Sequence, residues 1–486
     1  MSMSRSWVFV IFLASFQAVS SQPKKKIFMG ALALSYNGDE QGFQAAMEYA
    51  TETVNNRSDI LKDYELVVRY AETLGSPIYT VLGVFNFLRW PKNESMQILI
   101  GPAWSKNAGP AALACGAYRV LQISYGATSV ELQKDQYYGK LFSNVPSTTS
   151  FNFARIAVIK HFGWKRVAIL QEYDEQLYSS AISDFHVLLN YFARDISIIT
   201  SEGYKKDSQD AHPKAELERL QKVDARIIIG EFSIYRAAEI FCEAYRLGMY
   251  GPKYVWFLSA TSTGAWIFSP ETFKMQHKML RCSYEEIVTA AEGFIVIANV
   301  DIRQDNKTTV SGLNASTYLT ELRKRNGRAL ARTSYAFDSI WAAALMLNAT
   351  SNETRPENLV LGSDKFSNEY EKLLKEQEFE GLSGPHKFSN RQRMGTVVIS
   401  QMRVKNNTPE LVQIGTHDAA TDELTFNEEQ VKKMWKDGKV PLDETRKERK
   451  VLNYSLLQLI FIGVFAVLGL IYSLGLLYFN ISKRNH

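Results

Sequence analysis

Two short segments carry hydroxyl side chains where a small anion could be held. Ile98-Leu-Ile-Gly-Pro102 runs into Ala103-Trp104-Ser105, and Ile123-Ser-Tyr-Gly-Ala127 runs into Thr128-Ser129. Each reads as a strand turning into a helix. A helix N-terminus offers free backbone N–H groups and a partial positive charge, which suits a carboxylate or phosphate. The plainer reading is that Ser105 and Thr128 are N-caps, and spacing alone favours it. Other chemistries find no footing. The sequence contains no HExxH, no Gly-x-Ser-x-Gly and no Gly-x4-Gly-Lys-Ser/Thr run. His161, His186, His212, His277, His386 and His417 are scattered, and no Cys/His cluster suggests zinc. Neither an enzyme, a metal nor a cofactor is expected.

The elements that position these loops alternate in type. Lys26 to Leu34, Tyr64 to Arg69, Gln97 to Ile100 and Val120 to Ser124 read as strands. Val167 to Leu170, Ile196 to Thr200, Arg226 to Ile229 and Tyr254 to Leu258 continue the series. Phe43, Ala46, Met47, Ala50 and Val54 fall three and four apart, one face of a helix. Tyr235 to Leu247 is a second helix, stopped by Gly248. Apolar, β-branched strands alternating with helices imply parallel sheets covered on both faces. Ligands of such sheets bind outside the carboxyl ends of the strands, where both hydroxyl loops lie. The predicted fold class is α/β with one sheet per lobe.

The two ends suggest a membrane protein. Arg5, the apolar stretch from Trp7 to Phe16 and the small residues Ala18, Ser20 and Ser21 form the pattern of a signal peptide over residues 1–21. Leu456 to Phe479 is apolar almost throughout and long enough to span a bilayer. Tyr472 and Tyr478 suit the membrane edge, with Lys483 and Arg484 as a positive cytoplasmic flank. The expected topology is single-pass type I in the plasma membrane, N-terminus extracellular. Between the ends lie roughly 430 residues, too many for a single core. Acceptor sequons for glycosylation stand at Asn56, Asn93, Asn306, Asn314, Asn348, Asn352, Asn406 and Asn453. The net charge of +5 is small and spread along 486 residues, so nucleic acid is not an expected partner. With three cysteines, a packed core must hold the fold together. Cys242 and Cys282 could pair, leaving Cys115 as a buried thiol.

Eight runs stand in order along the chain: Gln44-Ala-Ala-Met-Glu48, Asp63-Tyr-Glu-Leu66, Ile123-Ser-Tyr-Gly126 and Asp224-Ala-Arg-Ile-Ile-Ile-Gly230, then Phe241-Cys-Glu-Ala-Tyr245, Lys253-Tyr-Val-Trp-Phe-Leu258, Phe379-Glu-Gly-Leu-Ser-Gly384 and Arg393-Met-Gly-Thr396. Together they resemble the extracellular domain of the metabotropic GABA-B receptors, class C G-protein-coupled receptors. The apolar helix resembles the first membrane helix of that family; six more would follow in the family. The resemblance implies a bilobed, periplasmic-binding-protein-like (type I) clamshell followed by one transmembrane helix. Lobe 1 is expected over 22–148 and 291–378, and lobe 2 over 149–290 and 379–425. A juxtamembrane linker at 426–455, a transmembrane helix at 456–479 and a cytoplasmic tail at 480–486 complete the expectation.

The ligand site implied by the resemblance is mixed. Ser105 and Thr128 match the hydroxyls that hold the transmitter carboxylate, and Glu380 matches the glutamate that holds its ammonium. Glu380 also reads plainly as a solvated loop carboxylate. A family histidine is Val145 here, a second-lobe tyrosine is Ser233, a second-lobe tryptophan is Thr261, and a first-lobe tryptophan falls near Asn37. These losses remove an aromatic lid worth roughly 1–2 kcal/mol per ring. The family pairs the positions of Cys242 and Cys282. Two functions follow as expectations. One is a sensor of GABA or a related small zwitterion. The other is a non-binding or decoy ectodomain that dimerises with a GABA-B-type subunit and modulates its signalling.

Overall fold

The computed structural model describes residues 23–33, 41–205, 213–259, 267, 269–276, 280–326, 332–435, 437–445 and 455–484. Two compact units divide the chain, Met1–Asp443 and Glu444–His486. The expected signal peptide and Asn453 lie outside the described residues.

The first unit contains two sheets. Strands β1 (Lys25–Ala33), β2 (Tyr64–Glu72), β3 (Met96–Ile100), β4 (Gln122–Ser124) and β5 (Leu141–Ser143) are parallel. Strands β6 (Arg166–Glu172), β7 (Ser197–Tyr204), β8 (Ile227–Glu231), β9 (Val255–Ser259) and β10 (Ile295–Asn299) repeat the arrangement. Three short strands, β11 (Glu378–Gly381), β12 (Gly384–Ser389) and β13 (Gln392–Arg393), return to the first sheet. The last three, β14 (Thr396–Lys405), β15 (Thr408–Asp418) and β16 (Glu423–Phe426), join the second antiparallel to β10. The orders are β11-β12-β13-β5-β4-β3-β1-β2 and β16-β15-β14-β10-β9-β8-β6-β7. Both parallel halves follow a doubly wound order, with switch points between β1 and β3 and between β6 and β8. The predicted α/β, bilobed class is what the chain adopts.

Burial explains the strands. Met96–Ile100, Ile227–Glu231 and Val255–Ser259 are buried along their whole length, because helices cover both faces of each sheet. One face of the first sheet packs on helices Gln41–Asn55 and Thr333–Asn348, the other on Pro77–Leu88 and Ser105–Ala117. Each fully buried large apolar side chain contributes roughly 1.5–3 kcal/mol. Cys242 and Cys282 form a disulfide, and Cys115 is free and buried.

The passages between sheets come later than the expected 290 and 379. Strand β10 bonds to β9, so the second passage follows Asn299. The hairpin that begins at Glu378 reaches β5 through Gln392 opposite Ser143, so the third falls between Arg393 and Thr396. Part of the expected linker is docked: Met434 is buried in a second-sheet core, with Val431 and Trp435 packed against it. The Trp164 indole N–H donates to the Pro441 carbonyl at 2.7 Å.

In the second unit, Leu456–Arg484 is one helix of 29 residues. At 1.5 Å per residue it reaches about 43 Å, more than the roughly 30 Å of a hydrocarbon core. It is long and apolar enough to cross a membrane.

Candidate ligand-binding site

The two hydroxyl loops leave neighbouring strands β3 and β4 at the switch-point end of the first sheet. Their backbones are stitched together. The Gly101 N–H donates to the Ile123 carbonyl at 2.7 Å, and the Ser124 hydroxyl to the Pro102 carbonyl at 2.7 Å. Gly101 has φ +84°, and a Cβ there would stand 2.6 Å from the Leu32 carbonyl oxygen, so only glycine makes this turn. A Cβ on Gly126 would come within 2.7 Å of the Ala103 oxygen. Such close approach brings Ser105 against the loop that carries Thr128 and Ser129.

Neither hydroxyl is an N-cap. Trp104 caps helix Ser105–Ala117 without a side-chain bond, so Ser105 is its first residue. Its Oγ accepts the Ser129 N–H at 3.1 Å, leaving its own O–H free to donate. Thr128 precedes the cap of the short turn Val130–Gln133, which is Ser129. Thr128 is buried, its carbonyl accepts the Thr148 N–H at 2.9 Å, and its hydroxyl makes no hydrogen bond among the described residues. Two free hydroxyl donors thus stand at the positive end of a 13-residue helix. That arrangement can take a carboxylate. Ser129 Oγ lies 3.4 Å from Ser180 Oγ on helix Gln176–Phe192, so the anchoring loop touches both lobes.

Glu380 is not brought to this place. It lies on β11, four strands from β4 and five from β3; at about 4.8 Å per strand that is on the order of 20 Å along the sheet. Its carboxylate accepts from Lys307 Nζ at 2.8 Å and Arg303 Nη1 at 3.1 Å. The Lys307 ammonium, helped by the Arg303 guanidinium, holds its carboxyl below the usual range against the opposing effect of burial. The expected ammonium anchor is instead spent on two cations of its own lobe. Val145 is buried in the first-lobe core where the resemblance implies a histidine. Thr261 and Asn37 lie outside the described residues.

One polar group escaped the sequence reading. At the second switch point, Glu172 ends β6 fully buried, and its Oε2 accepts the Ser233 N–H at 2.9 Å. Oε1 of Glu172 and Oγ of Ser233 are buried without a partner among the described residues. A carboxylate closing the apolar run Val167–Leu170 was the available signal. Of the sequons, Asn56, Asn93, Asn306, Asn348, Asn352 and Asn406 are exposed and Asn314 is half-buried. The Asn314 and Asn348 side chains accept from the Thr317 and Leu61 N–H groups.

Residues 43–405 match the family described as receptor family ligand binding region. The mouse gamma-aminobutyric acid type B receptor subunit 1 is 28% identical over 476 residues, covering 95% of this chain and 47% of that protein. Human subunit 2 is 27% identical over 454 residues, covering 92% and 46%. The Caenorhabditis elegans subunit 1 is 28% identical over 411 residues, covering 82% and 43%. The chain spans about half the length of the curated relatives it matches. It belongs to the receptor family ligand binding region family, with a ligand-binding domain of the class C receptor kind.

Proposed function

We propose that this domain is a sensor that holds a small zwitterionic amino acid, GABA or a relative, between its lobes. The ligand carboxylate sits on the hydroxyls of Ser105 and Thr128 at the N-terminus of helix Ser105–Ala117. The observation that carries the reading is that both hydroxyls are free to donate, on two loops joined by the Ser129 N–H to Ser105 Oγ bond, at the carboxyl end of the first sheet. That the matched relatives are gamma-aminobutyric acid type B receptor subunits supports the choice of ligand. With Ser233 in place of an aromatic residue, GABA itself binds more weakly than a lidded site would hold it. Helix Leu456–Arg484 anchors the chain in the plasma membrane in a single-pass type I arrangement. Calorimetry of the domain against GABA and an amino-acid panel, with Ser105→Ala as control, tests the proposal; silence across the panel refutes it.

A second reading has its own observation. On helix Pro77–Leu88, Ile78, Tyr79 and Leu82 are 72%, 51% and 52% exposed, and Leu113 on the adjoining helix is 51% exposed. Exposed apolar side chains gathered on one face mark an interaction surface. No sequon lies on either helix. In this reading the first lobe docks on a GABA-B-type receptor subunit and modulates it, with or without a ligand of its own. Co-sedimentation with a subunit ectodomain tests it, and loss of the complex on Ile78→Lys supports it.

A further inference from the structure

A cavity of about 480 Å³ opens on the second lobe, remote from the interlobe face. Its walls include Tyr254 just before β9, Glu292 just before β10, and Arg403 on β14. These positions lie at the amino ends of the parallel strands, whereas the hydroxyl loops lie at carboxyl ends. The remaining wall is the segment that follows helix Glu428–Lys432 and runs on towards the second unit in sequence. The volume is that of a site for a drug-sized molecule. Tyr250, Tyr254 and Trp435 give it flat aromatic faces.

The charge balance around Arg403 identifies what would enter. Its guanidinium donates to Gln401 Oε1 at 3.0 Å, Gln430 Oε1 at 2.8 Å and the Gln430 carbonyl at 2.7 Å. All three acceptors are neutral, and no carboxylate lies within salt-bridge distance of Arg403 among the described residues. Burial lowers its proton affinity, opposed by Glu410, its cross-strand neighbour on β15. A half-buried guanidinium with no carboxylate in hydrogen-bond contact still gains from an anion in the cavity. Lys439 lines the same cavity and is exposed. The Lys433 ammonium is taken by Glu429 at 2.6 Å. Glu292 and Asp437 also line the cavity; they oppose an anion near them and confine it to the Arg403 side.

We infer that this cavity is a second ligand site, separate from the interlobe one, for a planar aromatic molecule carrying a carboxylate or sulfonate. The ring packs on the tyrosine and tryptophan faces, and the anionic group meets Arg403 bidentately. Because one wall is the segment leading out of the domain, an occupant ties that segment to β14.

The probe is 2-naphthoate, titrated by calorimetry into the full chain in lipid nanodiscs, with empty nanodiscs as blank. Saturable binding at one site is expected, weakened at least tenfold by Arg403→Gln and severalfold by Lys439→Gln. The neutral isostere 2-naphthamide should bind at least tenfold more weakly, and Ser105→Ala should leave naphthoate binding unchanged. Thr289→Trp, at an exposed lining position, fills the cavity and should abolish binding even if Arg403→Gln lowers the melting temperature. Absence of saturable binding to the wild type would overturn the inference. So would equal binding of the amide, or binding that survives both Arg403→Gln and Thr289→Trp.

Discussion

At the scale of single residues, the proposed sensing role rests on two hydroxyls that the fold leaves unspent. Ser105 Oγ accepts one backbone N–H and keeps its proton for a ligand. A hydrogen bond to a charged group contributes about 1.5–3 kcal/mol. Ser105→Ala or Thr128→Val should therefore weaken the amino-acid ligand about ten- to a hundredfold. Neither change should move the melting temperature by more than a degree or two, and paired calorimetry and thermal melts read both. Glu380→Gln should behave in the opposite way. It breaks contacts to Arg303 and Lys307 within the first lobe, so it lowers stability modestly and leaves ligand affinity unchanged. A clear loss of affinity in Glu380→Gln with unaltered stability would restore its role as an ammonium anchor. The motif around Glu380 was legible in the sequence, but strand order was not. Six residues of local pattern, Phe379 to Gly384, say nothing about how many strands separate them from β4. Ser105 shows the converse: its spacing suits an N-cap, and only the extended backbone of Trp104 moves the cap one residue earlier.

At the scale of elements, the parallel strands were readable because both their faces are buried. Arg226 to Ile229 and Tyr254 to Leu258 fall within two residues of β8 and β9 at either end. The antiparallel additions were not. Strand β12 alternates buried and exposed residues over only six positions, and β13 has two, so neither gives a run long enough to read. This small hairpin carries a pH dependence. His386 is buried between Phe379, at 4.2 Å between ring centroids, and Phe388. Burial first, and the Arg393 guanidinium second, push its proton affinity well below the ordinary histidine value. The folded protein therefore keeps His386 neutral while the unfolded chain takes a proton near pH 6.5. Its stability contribution is present above that pH and is lost as the pH falls, at up to about 1.4 kcal/mol per pH unit. Melts between pH 7 and 5 should fall less steeply in His386→Phe than in the wild type; equal slopes would contradict this. The disulfide acts on the second lobe, tying helix Ile234–Arg246 to the start of helix Tyr284–Ala291 across 40 residues. Loop entropy puts its contribution at about 4 kcal/mol. Replacing both cysteines with alanine should lower the denaturation midpoint without changing the far-ultraviolet circular dichroism at low temperature.

At the scale of the whole molecule, two lobes of repeated topology place the two candidate hydroxyls on one and a buried polar switch point on the other. In the proposed sensor, a ligand that favours closure would act on their contact at Ser129 and Ser180. The apolar face on helix Pro77–Leu88 went unread in the sequence because its residues look like core. Ile78, Leu82 and Phe85 would be buried in most helices of that composition, and only the assembled lobe leaves them open. Ile78→Lys with Leu82→Lys should abolish association with a GABA-B-type subunit ectodomain in sedimentation experiments. The same double change should leave amino-acid binding within twofold of the wild type. The measurement that decides most is isothermal calorimetry of residues 23–443 against GABA and the common amino acids, repeated with Ser105→Ala. A sensor gives saturable one-site binding to at least one of them, weakened at least tenfold by the substitution. No heat from any ligand, or binding indifferent to Ser105, would contradict a sensing role and leave the partner surface as the function of the chain.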